Sequence, residues 1–156
     1  MDAPIVTPAA APKPFHLTAS LEDYLETIKC LIDQDTHGHA HTSDIAKALK
    51  VKMPSVTNAL GILCRNGYIH YDTNYPVTLT ELGEAAAERI LRKHHVLSTF
   101  LQSILKMEKV SASDLACKIE HVTTDDFIQR LEALTSAIAS CGCADEIASV
   151  MQQCHS

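Results

Sequence analysis

A mainly α-helical chain is predicted, with an N-terminal winged helix-turn-helix followed by an all-helical second half. Three observations predict it. Apolar residues recur at helical spacing along most of the chain. The 156 residues include only five Gly and no Trp and are 46% hydrophobic, a composition suited to packed helices. Two short β-like runs stand together after the third helical pattern, where a wing belongs.

Residues 1–16 are rich in Ala and Pro and lack a basic start followed by an apolar core. They read as a disordered tail rather than a targeting signal. Ser20 is placed to cap a first helix from Leu21, with Asp23 closing an acidic capping box. Leu21, Tyr24, Leu25, Ile28, Leu31 and Ile32 give that helix one apolar face, which ends before His37-Gly38. Thr42 or Ser43 caps a short helix carrying Ile45, Ala46 and Leu49. After a turn at Lys50–Lys52, Pro54 opens a third helix, because the first turn tolerates its missing N–H. Val56, Leu60, Leu63 and Cys64 give it an apolar face, and Asn66-Gly67 ends it. Tyr68–Tyr71 and Val77–Leu79 form a hairpin around Asp72–Pro76. Thr80 caps a long fourth helix, with apolar positions from Ile90 to Leu105. Helices over about Ser111–His121 and Thr124–Ser140 follow, with room for a short final one from Ala144. The expected organisation is a tail (1–16), a winged helix-turn-helix domain (17–79), a second, all-helical domain (80–140) and a C-terminal tail (141–156).

The net charge is −6, yet its distribution favours a nucleic-acid partner. From Thr42 to Tyr71, Lys47, Lys50, Lys52 and Arg65 face Asp44 alone, a local charge of +3. The third helix is expected in the major groove of duplex DNA. Ser55, Thr57 and Asn58 are its reading residues, and Lys47 and Lys52 its phosphate contacts. Ser55 has a rival reading as a helix cap. The apolar helical half is expected to bury its surface in a homodimer, matching a palindromic operator. No apolar run reaches the roughly 18 residues a membrane helix needs, so no membrane partner is expected and the location is taken as cytoplasmic.

Ligand-type side chains share helix faces at three places. Asp23 and Glu26 are i, i+3 on the first helix. Cys117, Glu120 and His121 are i, i+3, i+4 on the fifth. His94 and His95 interrupt the fourth helix's apolar pattern. Thiolate, carboxylate and imidazole together suit a borderline first-row metal. Taken singly, each group is more often a solvated face, a buried thiol or a core histidine.

In order and spacing these segments resemble the diphtheria toxin repressor and manganese transport regulator family. The likeness runs through Leu17–Ile28, Thr42–Leu49, Pro54–Thr57, Val77–Gly83, Arg92–His94 and Ala116–His121. It implies a metal-dependent repressor of metal-uptake genes, with Asp23, Glu26, His94, Cys117, Glu120 and His121 as metal ligands. Five of these match the manganese-type pattern. Cys117 instead resembles the iron-type branch, while that branch has Met where Asp23 stands. The hard carboxylates favour Mn²⁺ over Fe²⁺, with Zn²⁺ or Co²⁺ able to bind in vitro. One main site per subunit is expected. Ser113 and Ser98 replace the His and Glu of an ancillary site, so that site is expected to be missing.

Six Cys and nine His leave further candidates. His37, His39 and His41 alternate in a loop without a supporting carboxylate or Cys, which favours a polar loop over a second metal site. Cys141, Cys143, Cys154 and His155 lack the usual zinc-knuckle spacing. Reduced thiols are expected rather than a disulfide framework, with Cys30 and Cys64 in the core. Two other functions stay open. A metal-independent winged-helix regulator would owe its ligand set to accident. A di-metal carboxylate enzyme would normally need a second Glu-x-x-His pair; neither that pair nor a nucleophile motif is present, so no enzyme is expected.

Overall fold

Leu21, Tyr24, Leu25 and Ile28 fall on one side of a helix, α1 (Ala19–Gln34), and all four are buried. The cap is Thr18, whose Oγ1 accepts from the Leu21 N–H. The expected cap at Ser20 is therefore displaced by two residues. The shift takes Asp23 out of the capping-box position, and its carboxylate meets His121 instead. The computed structural model describes residues 15–72, 75–143, 146–147 and 149–150.

Next come α2 (Thr42–Leu49) and α3 (Met53–Arg65). Lys50 takes the left-handed conformation in the turn between them. The α3 N-cap is Lys52, without a side-chain bond, and Pro54 lies in its first turn. Ser55 is thus inside the helix and exposed, so the capping reading fails. At the other end Gly67 has φ +78°. The Tyr68 N–H then reaches the Leu63 carbonyl, the closure expected of Asn-Gly.

The wing is β1 (Ile69–His70) paired antiparallel with β2 (Thr78–Leu79). Ala40 adds a third strand position through a bridge to Val77. Of the wing tip, Thr73 and Asn74 lie outside the described residues.

The long helix α4 (Glu81–Ser103) is capped by Thr80, whose hydroxyl also donates to the Gly67 carbonyl at 2.6 Å. Gly83 lies against the Tyr68 carbonyl, where a Cβ would overlap the oxygen. That contact fixes the angle between wing and helix. Early in α4, Ala87 and Ile90 join one apolar cluster with Leu25, Ile28, Ile45, Leu60 and Val77. Farther along, Val96, Leu97 and Leu101 build a second with Ala112, Ala116 and Ile128. The latter come from α5 (Lys109–Glu120) and α6 (Asp125–Cys141). α5 starts at Lys109, two residues before the expected Ser111, because Glu108 caps it by accepting from the Val110 and Ser111 N–H groups. Lys93 ties α4 to α6 by donating to the Thr123 carbonyl at 2.7 Å and facing Asp125.

Cys30, Cys64 and Cys117 are free and partly buried. Cys141 and Cys143 flank Gly142, the left-handed C-cap of α6, and their sulfurs face each other. Adjacency across a left-handed glycine brings the two sulfurs together. Cys154 and His155 lie outside the described residues, as does most of the tail after Cys143. No described helix is long and apolar enough to cross a membrane.

Candidate metal centre and DNA-facing helix

Three helices converge on one acidic cluster. α1 contributes Glu22, Asp23 and Glu26, the middle of α4 contributes His94, and the end of α5 contributes Cys117, Glu120 and His121. Glu26, His94 and Glu120 offer ligand atoms within 4.8 Å of one another, and so do Asp23, Cys117 and His121. All six predicted ligands therefore fall into two triads. Glu120 Oε1 and His121 Nε2, 3.6 Å apart, connect them.

Hydrogen bonds order both triads. His94 Nδ1 lies 2.8 Å from Glu120 Oε2, and its Nε2 lies 3.2 Å from Ser113 Oγ. His121 Nε2 lies 3.0 Å from Asp23 Oδ1. Its Nδ1 lies 2.7 Å from Glu22 Oε2. Sequence spacing missed Glu22, which is separated from His121 by 99 residues. At His121 the Glu22 carboxylate on Nδ1 turns Nε2 toward the cluster, the usual arrangement behind a metal-binding histidine, whereas His94 points Nδ1 into the cluster and Nε2 at Ser113. Ser98 is turned away, with its hydroxyl on the His95 carbonyl. Among the described residues no third ligand group forms near Ser98 and Ser113.

Burial and crowded acids disturb the titration of these groups. The Glu26 carboxyl is raised by burial and then by the Glu120 charge. The Cys117 thiol is pushed up to about 11 by burial and then by Glu120, Asp23 and Glu26. His94 is raised by its bond to Glu120. At His121 burial lowers the value, but the bond to Glu22 and the nearby carboxylates outweigh it, and the net direction is up. Crowded acids and burial thus favour the protonated forms of these four groups.

One atom tests whether a cation fits. Glu120 is 1% exposed, and its Oε1 is buried without a hydrogen-bond partner among the described residues. A buried acceptor left unpaired costs about 1–3 kcal/mol, more when charged. A divalent ion on that oxygen would satisfy it. Mixed oxygen, nitrogen and sulfur donors match a first-row transition metal, so the residues present fit the group.

On the opposite side of the first cluster, α3 presents Ser55, Thr57 and Asn58 to solvent. Ser55 and Asn58 line an open cleft of about 450 Å³ against Thr18, Ser20 and Tyr24 of the α1 end. The Thr57 hydroxyl donates to the Met53 carbonyl at 3.1 Å, so only part of its bonding capacity is free. Lys52 is exposed at the α3 start. Lys47 is exposed too, but pairs with Asp44 at 3.2 Å.

A winged helix-turn-helix joined to a partly buried acid, imidazole and thiol cluster defines a metal-responsive DNA-binding regulator. Residues 16–75 match the family model described as iron dependent repressor, N-terminal DNA binding domain. Residues 80–149 match its metal binding and dimerisation domain. An uncharacterized HTH-type transcriptional regulator of Methanocaldococcus jannaschii is 38% identical over 116 residues, 74% of this chain and 92% of that protein. The HTH-type transcriptional regulator MntR of Lysinibacillus sphaericus is 36% identical over 121 residues, 78% of this chain and 85% of that one. Among solved structures, a manganese-dependent transcriptional repressor in complex with manganese superposes with TM-score 0.67 at 26% identity. That match covers 74% of this chain and 52% of the other, so this chain spans about half that structure's length. The chain belongs to the iron-dependent repressor family, the metal-dependent transcriptional repressors of the diphtheria toxin repressor and manganese transport regulator type. It is a regulator and not an enzyme.

Proposed function

We propose that this chain represses metal-uptake genes when its metal centre is loaded, with Mn²⁺ favoured over Fe²⁺. The single observation that carries the reading is Glu120, a fully buried carboxylate with an orphaned oxygen between ligand sets from both parts of the molecule. Asp23 and Glu26 reach in from the helix that packs against α2 and α3. His94, Cys117, Glu120 and His121 come from α4 and α5. The triads would hold two adjacent ions, or one main ion at the carboxylate-rich Glu26–His94–Glu120 set. A bound divalent ion supplies the positive charge that the cluster lacks. The carboxylates of α1 then have reason to stay beside α5, and α1 holds α2 and α3 in one orientation. This is population shift, which requires tighter metal binding by the DNA-competent arrangement.

The preference for Mn²⁺ rests on the hard donors Asp23 and Glu26. It also rests on likeness to a repressor solved with manganese. Zn²⁺ or Co²⁺ would bind in vitro. Residues 17–79 act as the DNA reader and residues 80–140 as the metal-binding and dimerising part. Exposed apolar residues on or beside α5 and α6, Val110, Val122, Phe127 and Leu134, suit burial against a second copy. Such a homodimer would present two α3 helices to a palindromic operator in duplex DNA, as a cytoplasmic protein. Lys52 and Lys47 would bind phosphates, and Ser55, Thr57 and Asn58 base edges.

The test is DNA binding by the full chain, titrated anaerobically with Mn²⁺, Fe²⁺, Zn²⁺ and Co²⁺. Operator binding should need metal, and Cys117→Glu should move the preference further toward Mn²⁺. Binding unaffected by chelator would refute metal control. An unchanged preference in Cys117→Glu would remove that residue from selectivity.

A further inference from the structure

A second group of imidazoles lies away from this centre, in the loop between α1 and α2. The His37 and His39 rings stack with centroids 5.8 Å apart, and the His39 and His41 rings meet edge-on at 5.1 Å. Two imidazoles on one tetrahedral ion, with metal–nitrogen bonds of about 2.1 Å, have centroids about 5 Å apart. Both observed spacings are near that value. The sequence spacing lacks a carboxylate, and the fold supplies one. Asp35 Oδ2 accepts the backbone N–H of His37 at 2.9 Å and of His39 at 3.3 Å. The same oxygen lies 3.4 Å from His39 Nδ1. That separation is an ion-pair contact rather than a hydrogen bond, so the carboxylate supplies negative charge beside the ring while both ring nitrogens stay open to a ligand.

The backbone supports the grouping. Gly38 has φ +72°, which lets the loop fold back between His37 and His39. Ala40 exchanges both backbone hydrogen bonds with Val77, at 2.9 and 2.8 Å, and is 2% exposed. Alternation along a strand then sends His39 and His41 to the opposite, outward side. The three rings do not form a group with ligand atoms within 4.8 Å, as the two triads do. Closing on an ion therefore requires side-chain rotation, and His37 and His41 are exposed and free to turn.

We propose that His37, His39 and His41, with Asp35 behind His39, form a separate surface metal site. It takes late first-row divalent ions that prefer imidazole, Zn²⁺, Ni²⁺ or Cu²⁺, and leaves Mn²⁺ to the carboxylate centre. An ion there would tie the α1 end to the strand position that Ala40 adds to the wing, and to the α2 start at His41. The site is independent of the proposed Mn²⁺ centre.

The test compares the full chain with the double variant His37→Gln, His41→Gln by equilibrium dialysis against Ni²⁺ alone and Mn²⁺ alone. The wild type should bind one more Ni²⁺ per chain than the variant, with equal Mn²⁺ uptake. Cu²⁺ electron paramagnetic resonance should show imidazole nitrogen hyperfine structure that the double variant loses. Asp35→Asn should weaken Ni²⁺ binding by about tenfold. His70→Gln removes an outward imidazole of β1 that lies across Thr78, and should change nothing. Equal Ni²⁺ uptake by wild type and double variant would overturn the site. Loss of the same Ni²⁺ in His70→Gln would overturn its ligand assignment.

Discussion

Glu120→Gln is expected to abolish the metal response while leaving the fold standing. The two side chains have nearly the same shape, so the buried position stays filled. Without metal, the substitution weakens the 2.8 Å contact between Glu120 and His94, a charge-assisted bond of about 1.5–3 kcal/mol. It also removes the charge beside an unpaired buried oxygen, whose burial costs about 1–3 kcal/mol. These changes oppose each other, and ion-free stability should move by no more than about 1 kcal/mol. With Mn²⁺ at about a hundred times its Kd, linkage adds about 2.7 kcal/mol to the wild type. At about 2–4 °C per kcal/mol for a chain of this size, its Tm rises by about 5–11 °C. Glu120→Gln should gain less than about 2 °C at the same Mn²⁺ concentration. The assay is thermal unfolding followed by circular dichroism, with Mn²⁺ and with chelator. Equal Mn²⁺-induced rises in the two proteins would refute the assignment of Glu120.

Glu22→Gln keeps size but weakens the 2.7 Å contact that orients His121; Mn²⁺ affinity measured by calorimetry should fall about tenfold or more, and an unchanged affinity would leave Glu22 a bystander. Gly83→Ala forces a methyl onto the Tyr68 carbonyl and should destabilise by about 1–3 kcal/mol in urea unfolding; a neutral result would mean the wing and α4 move apart freely. Ion-free stability should fall as pH rises. His94 is raised by Glu120, and His121 is raised on balance because Glu22 and the nearby acids outweigh burial. Their charged forms stabilise fully below the ordinary value of 6.5 and lose that effect as pH passes the raised values. Glu26, raised by burial and the Glu120 charge, acts in the same direction from its ordinary 4.5 upward. Urea midpoints measured with chelator should therefore fall between about pH 6 and pH 8, and a rising midpoint would contradict that sign.

The helices were legible because their signals are local. Pro54 and Asn66-Gly67 mark boundaries by backbone conformation and Thr80 by its capping hydroxyl, and the structure keeps them. The proposed ligands of α1 and α5 were legible as candidates because i, i+3, i+4 spacing puts side chains on one face, whereas His94 stood out only as an imidazole interrupting an apolar pattern. The α1 cap was not, since Thr18 and Ser20 are both good caps and packing of Leu21 and Leu25 decides between them. Division of the ligands into two triads was also hidden, because it depends on where α5 ends against α1. The same long-range arrival brings Glu22 to His121. Asp35 went unnoticed because its partners are backbone N–H groups and a ring turned back by the Gly38 turn. Its contacts appear only once that loop is folded.

The central claim is that metal and DNA bind one and the same arrangement of the chain. Its most direct test is the Mn²⁺ affinity of the full-length protein, free and then saturated with a duplex selected for binding in the presence of Mn²⁺. Reciprocity requires Mn²⁺ to bind tighter on DNA by the same factor by which Mn²⁺ tightens DNA binding, typically about 5–150-fold. Equal Mn²⁺ affinity with and without the duplex would contradict metal control of the DNA-binding helices.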